Sequence, residues 1–285
     1  MPGEVPPYIK KIHPFFQSWY RRTHFEKKNV YSVAVGQVGS GKSYTAMSIG
    51  CLLDPNFSID NVAFSPTEYL TAMDKAERRK KYGQVIVFDE MGVGMAARSW
   101  HSVQNRLTSE FLQTARHLRL ISIFTVPTMG FIDKNARILT HNVLRVSRHG
   151  SNPPKIRPLH LSVNPVDDKD YKSAPIGIVD GKRVKFHEII WDVMPPEELI
   201  KDYEKKAGEW KDKLRKDNLA LFAQMEKDEQ PKEDYRDLLP EILENSKDYM
   251  NIKGVVDWQI IQSKHQDLSR RKAQELKKLT ELQLI

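Results

Sequence analysis

The sequence predicts an α/β fold in which a mainly parallel sheet lies between helices. Three observations carry this. From Asn29 to about Gly150, short apolar runs alternate with helical stretches, the pattern of a layered α/β domain. Val30 to Val35 is β-branched and apolar, as a strand buried on both faces is, and it feeds a glycine-rich turn. Beyond the turn, YTAMSIGCLL is apolar and free of breakers until Asp54-Pro55, which predicts a helix of about three turns.

The turn itself reads GQVGSGKS and fills the pattern G-x-x-x-x-G-K-[ST] at Gly36, Gly41, Lys42 and Ser43. Glycines allow successive backbone N–H groups to face a phosphate, and the helix start adds the positive end of its dipole. Gly36, Gln37, Val38, Gly39, Ser40, Gly41, Lys42, Ser43 and Tyr44 are therefore the candidate nucleotide-binding residues. Lys42 is placed to reach the β and γ phosphates and the Ser43 hydroxyl to ligate Mg²⁺. The bland alternative, a glycine-rich turn with an exposed lysine, does not explain the strand before it and the helix after it. The fold class expected is a P-loop NTPase.

A second element lies in KYGQVIVFDE. Val85 to Phe88 is continuously apolar and ends in Asp89 and Glu90. At the C-terminal end of a parallel strand, Asp89 would stand beside the phosphate loop and hold Mg²⁺ through water. Glu90 would polarise an attacking water, making Lys42, Asp89 and Glu90 the candidate catalytic set. Two solvated acids ending a strand is the competing reading, and the loop upstream weighs against it.

At 285 residues the chain can bury a substantial core. Its single cysteine, Cys51, excludes a disulfide framework. No apolar run approaches the length of about 18 residues needed to span a bilayer, so no membrane span and a cytoplasmic location (host cytoplasm for a viral protein) are expected. A net charge of +8 suits an anionic polymer partner, and equally suits simple solubility. Residues 1–28 mix prolines, aromatics and basic groups, which could stack bases or pack onto the adjacent domain; packing is favoured. The core is expected over 29–150, ending where SNPPKIRP breaks the pattern. An extension over 151–227 contains APIGIVDGKRVKFHEIIW, read as a β-hairpin turning at Asp180-Gly181. It continues, after Pro195-Pro196, as a long charged helix carrying Leu199, Tyr203, Trp210, Leu214, Leu219 and Phe222. DEQPKED reads as a linker to a helical region over 228–285.

After the acid pair, the sequence carries T-A-R-H-L at 114–118, a strand from Ile121 to Val126 and the segment FIDKNAR. Over residues 29–150 this succession resembles the Zot-type branch of the HerA/FtsK P-loop ATPases, including archaeal and viral members. The resemblance implies ATP as nucleotide and an additional strand between those of the phosphate loop and the acid pair, to which NVAFS at 61–65 would contribute. It implies Glu90 as the base and a homo-oligomeric ring, with a hexamer as one size, acting on DNA. It also implies a γ-phosphate sensor at the end of the strand after Arg116-His117. Relatives place Thr-Gln there; this chain has Thr125-Val126-Pro127-Thr128, which leaves Thr125 or Thr128 for the role. An arginine acting across the subunit interface would come from Arg116 or Arg137, with Arg119, Arg145 and Arg148 as further candidates.

The C-terminal stretch adds its own signal. Val256 to Lys264 predicts a helix, His265 to Leu268 a turn, and Ser269 the N-cap of a second helix lined inside by Ala273, Leu276 and Leu279. This resembles a helix-turn-helix, with YRDLLPEILENS as a third helix limited by Pro240. Arg270, Arg271, Lys272, Gln274 and Lys277 would then meet DNA phosphates or base edges; a helical cap is the competing reading. The expected function is an ATP-hydrolysing DNA motor for translocation, packaging or transfer, against a nucleotide-dependent switch with slow hydrolysis. A small-molecule kinase ranks below both.

Overall fold

The computed structural model describes residues 5–90, 115–132, 134–164, 167, 169–228, 235–266 and 268–284. It divides into two compact units, Met1–Asp217 and Asn218–Ile285.

In the first unit, α1 (Pro7–Lys10) and α2 (Pro14–His24) precede β1 (Val30–Val35), followed by α3 (Lys42–Leu53), β2 (Val62–Ala63) and α4 (Pro66–Arg79). Then come β3 (Val85–Phe88), β4 (Ile121–Val126), α5 (Lys134–Leu139), β5 (Asn142–Ser147) and β6 (Lys155–Val163). β7 (Asp170–Ser173), β8 (Ile176–Val179), β9 (Lys182–Lys185) and β10 (Ile189–Ile190) lead into α6 (Glu197–Asp228), whose residues from Asn218 onward belong to the second unit.

The sheet runs β10-β6-β5-β1-β4-β3-β2, with β7 paired to β6. The five strands from β5 to β2 are parallel; β6 pairs antiparallel with β5, and β7 and β10 each pair antiparallel with β6. A mainly parallel sheet between helices is thus what the chain forms. Its central strand β1 is apolar on both faces for a plain reason. Val30 and Ala34 pack with Met47 and Ile49 of α3, while Tyr31 and Val33 pack with Tyr69 and Met73 of α4.

Two expectations are corrected. The inserted strand is β4, which lies between β1 and β3; Val62–Ala63 pairs on the outer side of β3 instead. All six residues of β4 are buried, which suits a central position, whereas β2 has two residues only. Nor does the sheet stop at SNPPKIRP. Residues 155–163 pair along the whole of β5, with Ile156 and Leu161 buried.

The N-terminal aromatics pack. Ile9, Phe15, Phe16, Trp19 and Tyr20 are buried, and Phe16 meets Trp191 edge-on with ring centres 5.1 Å apart. This leaves none of these rings free to stack on bases. The hairpin β8–β9 turns at Asp180-Gly181, both with positive φ (50° and 75°), the geometry a two-residue turn needs.

In α6, Leu199, Tyr203 and Ala207 are buried and Trp210 is partly so, one stripe at helical spacing. Phe64 stacks on both Tyr203 (5.8 Å) and Trp210 (5.5 Å). Farther along, Leu214 is half-buried, and Leu219 and Phe222 are exposed.

The second unit holds α7 (Leu239–Glu244), α8 (Trp258–Lys264) and α9 (Arg270–Gln283) around Ile242, Tyr249, Val256, Ile261 and Leu276. Ser269 caps α9 by accepting from the Lys272 N–H. Ala273, Leu276 and Thr280 form the inner face of α9, with Leu279 only half-buried. The linker residues 229–234 lie outside the described residues.

Candidate nucleotide site

β1 ends at Val35 and the chain turns at once through Gly36 to Gly41 into α3. Gly39 and Gly41 have φ of 79° and 87°, which side-chain-bearing residues rarely adopt. At Gly36 the constraint is contact: a Cβ there would lie 2.2 Å from the Val146 carbonyl oxygen. The loop therefore exists in this shape because glycine occupies these positions.

The Lys42 ammonium donates to the carbonyls of Gly36 and Gln37, each at 2.9 Å, bridging the loop from its inner side. Burial lowers its pKa, opposed by the charges of Asp89 and Glu90. Ser40 Oγ, in the loop, and Thr45 Oγ1, in the first turn of α3, are buried and find no hydrogen-bond partner among the described residues. Tyr44 donates its hydroxyl to Glu204 of α6 at 2.8 Å.

Asp89, at the end of β3, is fully buried and gathers three hydroxyl donors. Ser43 donates to Oδ1 at 2.8 Å and Thr125 to the same oxygen at 2.6 Å. Tyr203 of α6 donates to Oδ2 at 2.6 Å. Burial first, and the Asp89 charge second, push the Tyr203 hydroxyl pKa far upward, so it stays a donor. Such a set offsets the cost of burying a carboxylate.

Glu90 follows with φ of 50°, and its N–H donates to Thr125 Oγ1 at 2.9 Å. Its side chain remains partly exposed, with Lys211 Nζ of α6 at 3.6 Å. Strained left-handed backbone at a non-glycine residue recurs at functional sites. A cavity of about 670 Å³ opens between these residues and α6, lined by Lys42, Ser43, Tyr44, Glu90, Ala207 and Gly208.

The donor set fits a magnesium–nucleotide pair. Ser43 Oγ and Asp89 Oδ1 are already adjacent, the loop offers glycine-shaped backbone, and Lys42 stands at its mouth. Thr125 joins this constellation as the residue that positions both acids. Thr128 does not; it is exposed and lines a different cavity. Arg137 is held within the chain, donating to the Ile132 carbonyl at 3.0 Å with Asp170 3.8 Å away. Arg116 lies in a short 3-10 turn, Ala115–Leu118, and its side chain lies outside the described residues. Thr114 and residues 91–113 also lie outside them. Arg119 stacks over the Tyr82 ring at 3.8 Å.

In the second unit, Arg270 is stacked over Trp258 at 4.9 Å and Lys277 is 3.6 Å from Glu281. Arg271 and Lys278 are exposed, while Lys272 and Gln274 are half-buried. Sequence reasoning missed Tyr203 and Lys211. Tyr203 sits in an apolar stripe 114 residues from Asp89, and no local pattern distinguishes it from a core tyrosine.

Strand, loop, helix and acid pair together define a phosphate-loop α/β protein. No protein-family model matches the chain, and no curated protein matches it in sequence. Among solved structures, it is similar to the N-terminal domain of zonular occludens toxin from Neisseria meningitidis. That match has 15% identity and a TM-score of 0.33, covering 59% of this chain and 100% of the other. It is also similar to EssC (ATPases 2 and 3) from Geobacillus thermodenitrificans, with 11% identity and a TM-score of 0.31. There the match covers 67% of this chain and 45% of the other, so this chain spans less than half the length of that EssC chain. Among the described residues, no helix is long and apolar enough to cross a membrane.

Proposed function

We propose that this chain binds ATP with Mg²⁺ and hydrolyses it, and that a ring of identical subunits uses the hydrolysis to move DNA. The observation that supports the first part is the convergence of Ser43, Thr125 and Asp89 beside Lys42 and the phosphate loop. In this reading Lys42 leaves the Gly36 and Gln37 carbonyls for the β and γ phosphates. Ser43 and Asp89 hold Mg²⁺, which neutralises phosphate charge when bound. Glu90 accepts a proton from the water that attacks the terminal phosphorus, and ADP leaves. Thr125 keeps the two acids in register through its hydroxyl.

The DNA part draws on the net charge of +8 and on the basic residues of α9. Arg271 and its neighbours Lys272 and Gln274 are proposed to contact phosphates or base edges there. The cytoplasm is the compartment proposed.

A second reading, a nucleotide-dependent switch with slow turnover, is favoured by one observation. Tyr203 and Lys211 of α6 engage Asp89 and Glu90 respectively, so nucleotide entry must rearrange contacts made by that helix. The deciding experiment is ATP turnover at low salt, with and without single- and double-stranded DNA, using Glu90→Gln as the blank. Stimulation by DNA that fades as salt rises supports the motor. Slow turnover indifferent to DNA rejects it in favour of the switch.

A further inference from the structure

Behind the phosphate loop lies a second cavity of about 690 Å³, reaching Gly36 to Ser40 from the opposite face of the sheet. The face follows from the pleat. On β5, Leu144 and Val146 pack in the core beneath α3, so Arg145 between them points the other way. Arg145 stands beside Val35 of β1 and directly opposite Arg157 of β6.

Both arginines are exposed, and neither guanidinium has a hydrogen bond or ion pair among the described residues. Like charges directly opposite each other on adjacent strands repel. Around them, Lys155 is neutralised by Glu188 at 2.9 Å, and Arg148 donates to the Asn152 carbonyl at 3.1 Å. His149 and Thr128 complete the rim. The cavity therefore presents two uncompensated guanidiniums side by side, with further basic and hydroxyl donors at its edge. Paired planar forks of this kind match the oxygens of phosphate.

We propose that this cleft binds the backbone phosphates of a nucleic acid, with Arg145 and Arg157 gripping adjacent phosphates. The assignment rests on the DNA-associated reading above and gives it a surface within the unit that carries the phosphate loop. Because the cleft shares Val38 and Gly39 with the nucleotide cavity, one loop is walled by both sites. An occupant behind the loop then bears on the backbone that cradles the triphosphate.

The test is binding of fluorescein-labelled single- and double-stranded 20-mer DNA by full-length wild type, Arg145→Ala/Arg157→Ala and Arg271→Ala, over a series of salt concentrations. The double variant is expected to lose about tenfold in affinity at low salt and to flatten the salt slope by about two phosphate contacts. Both substituted residues are exposed, and an unchanged unfolding transition and unchanged ATP binding confirm an intact fold. Equal affinity and slope in wild type and double variant overturn the cleft, as does loss confined to Arg271→Ala, or absence of DNA binding in wild type. Loss of self-association without loss of DNA binding also overturns it and assigns the face to subunit contact. DNA-stimulated turnover that survives the double substitution sinks the cleft and leaves the motor standing. DNA binding through the cleft without stimulation does the reverse.

Discussion

Replacing Tyr203 by Phe removes one oxygen and nothing else, yet among the described residues that oxygen is the one hydroxyl donor to Oδ2 of a fully buried aspartate. The ring stays where it is, stacked on Phe64 and edge-on to Tyr44 at 5.8 Å, so packing is conserved and only the hydrogen bond is lost. A hydrogen bond to a buried charged group contributes about 1.5–3 kcal/mol, and its loss leaves a desolvated carboxylate oxygen behind. For a unit of 217 residues, a loss of about 2 kcal/mol corresponds to a melting shift of about 4–8 °C. The assay is thermal unfolding followed by tryptophan fluorescence, with Trp19, Trp191 and Trp210 in this unit as reporters. Mg²⁺ with ATP should restore part of the lost stability in the variant by placing a cation beside Asp89. A shift under about 1 °C, with no added benefit from Mg²⁺ and ATP, would refute the claim that Tyr203 stabilises the buried Asp89 carboxylate.

Gly208 sits in the middle of α6 with nothing within 4 Å of a built Cβ, so Gly208→Ala should raise stability by about 0.5–1 kcal/mol in denaturant unfolding. Gly50 in α3 is the opposite case: a Cβ would lie 2.7 Å from Phe57, and Gly50→Ala should cost about 1–3 kcal/mol in the same measurement. His13, which caps α2, and His24, its last residue, have pKa values lowered by burial, so the unfolded chain binds their protons more readily. Their contribution is complete above the ordinary histidine pKa and is lost as pH falls below it. Urea midpoints at about pH 7.5 and 5.5 should therefore differ less in His24→Gln than in wild type.

The parts legible in the sequence are those whose chemistry is local. The phosphate loop is a fixed spacing of glycines between a strand and a helix, and the structure forms it from those residues at those positions. Asp89 and Glu90 are likewise announced by the apolar run before them. What escaped depends on distant pairing. Prolines at 153, 154 and 158 argue against a strand, yet residues 155–163 are held by β5 on one side and by β7 and β10 on the other. Strand order is also set by tertiary packing, which puts the fully buried β4 at the centre and the two-residue β2 at the edge. Tyr203 reaches Asp89 only because Leu199, Ala207 and Trp210 seat α6 against the core.

The central claim is that this loop and acid pair hold a magnesium–nucleotide complex. Its most direct test is calorimetric titration of ATP into Glu90→Gln protein, with and without Mg²⁺, beside the same titration of Lys42→Ala. The account predicts saturable one-site binding to Glu90→Gln that tightens when Mg²⁺ is present and is lost in Lys42→Ala. Binding that is absent from Glu90→Gln, or equal in both variants, would contradict it.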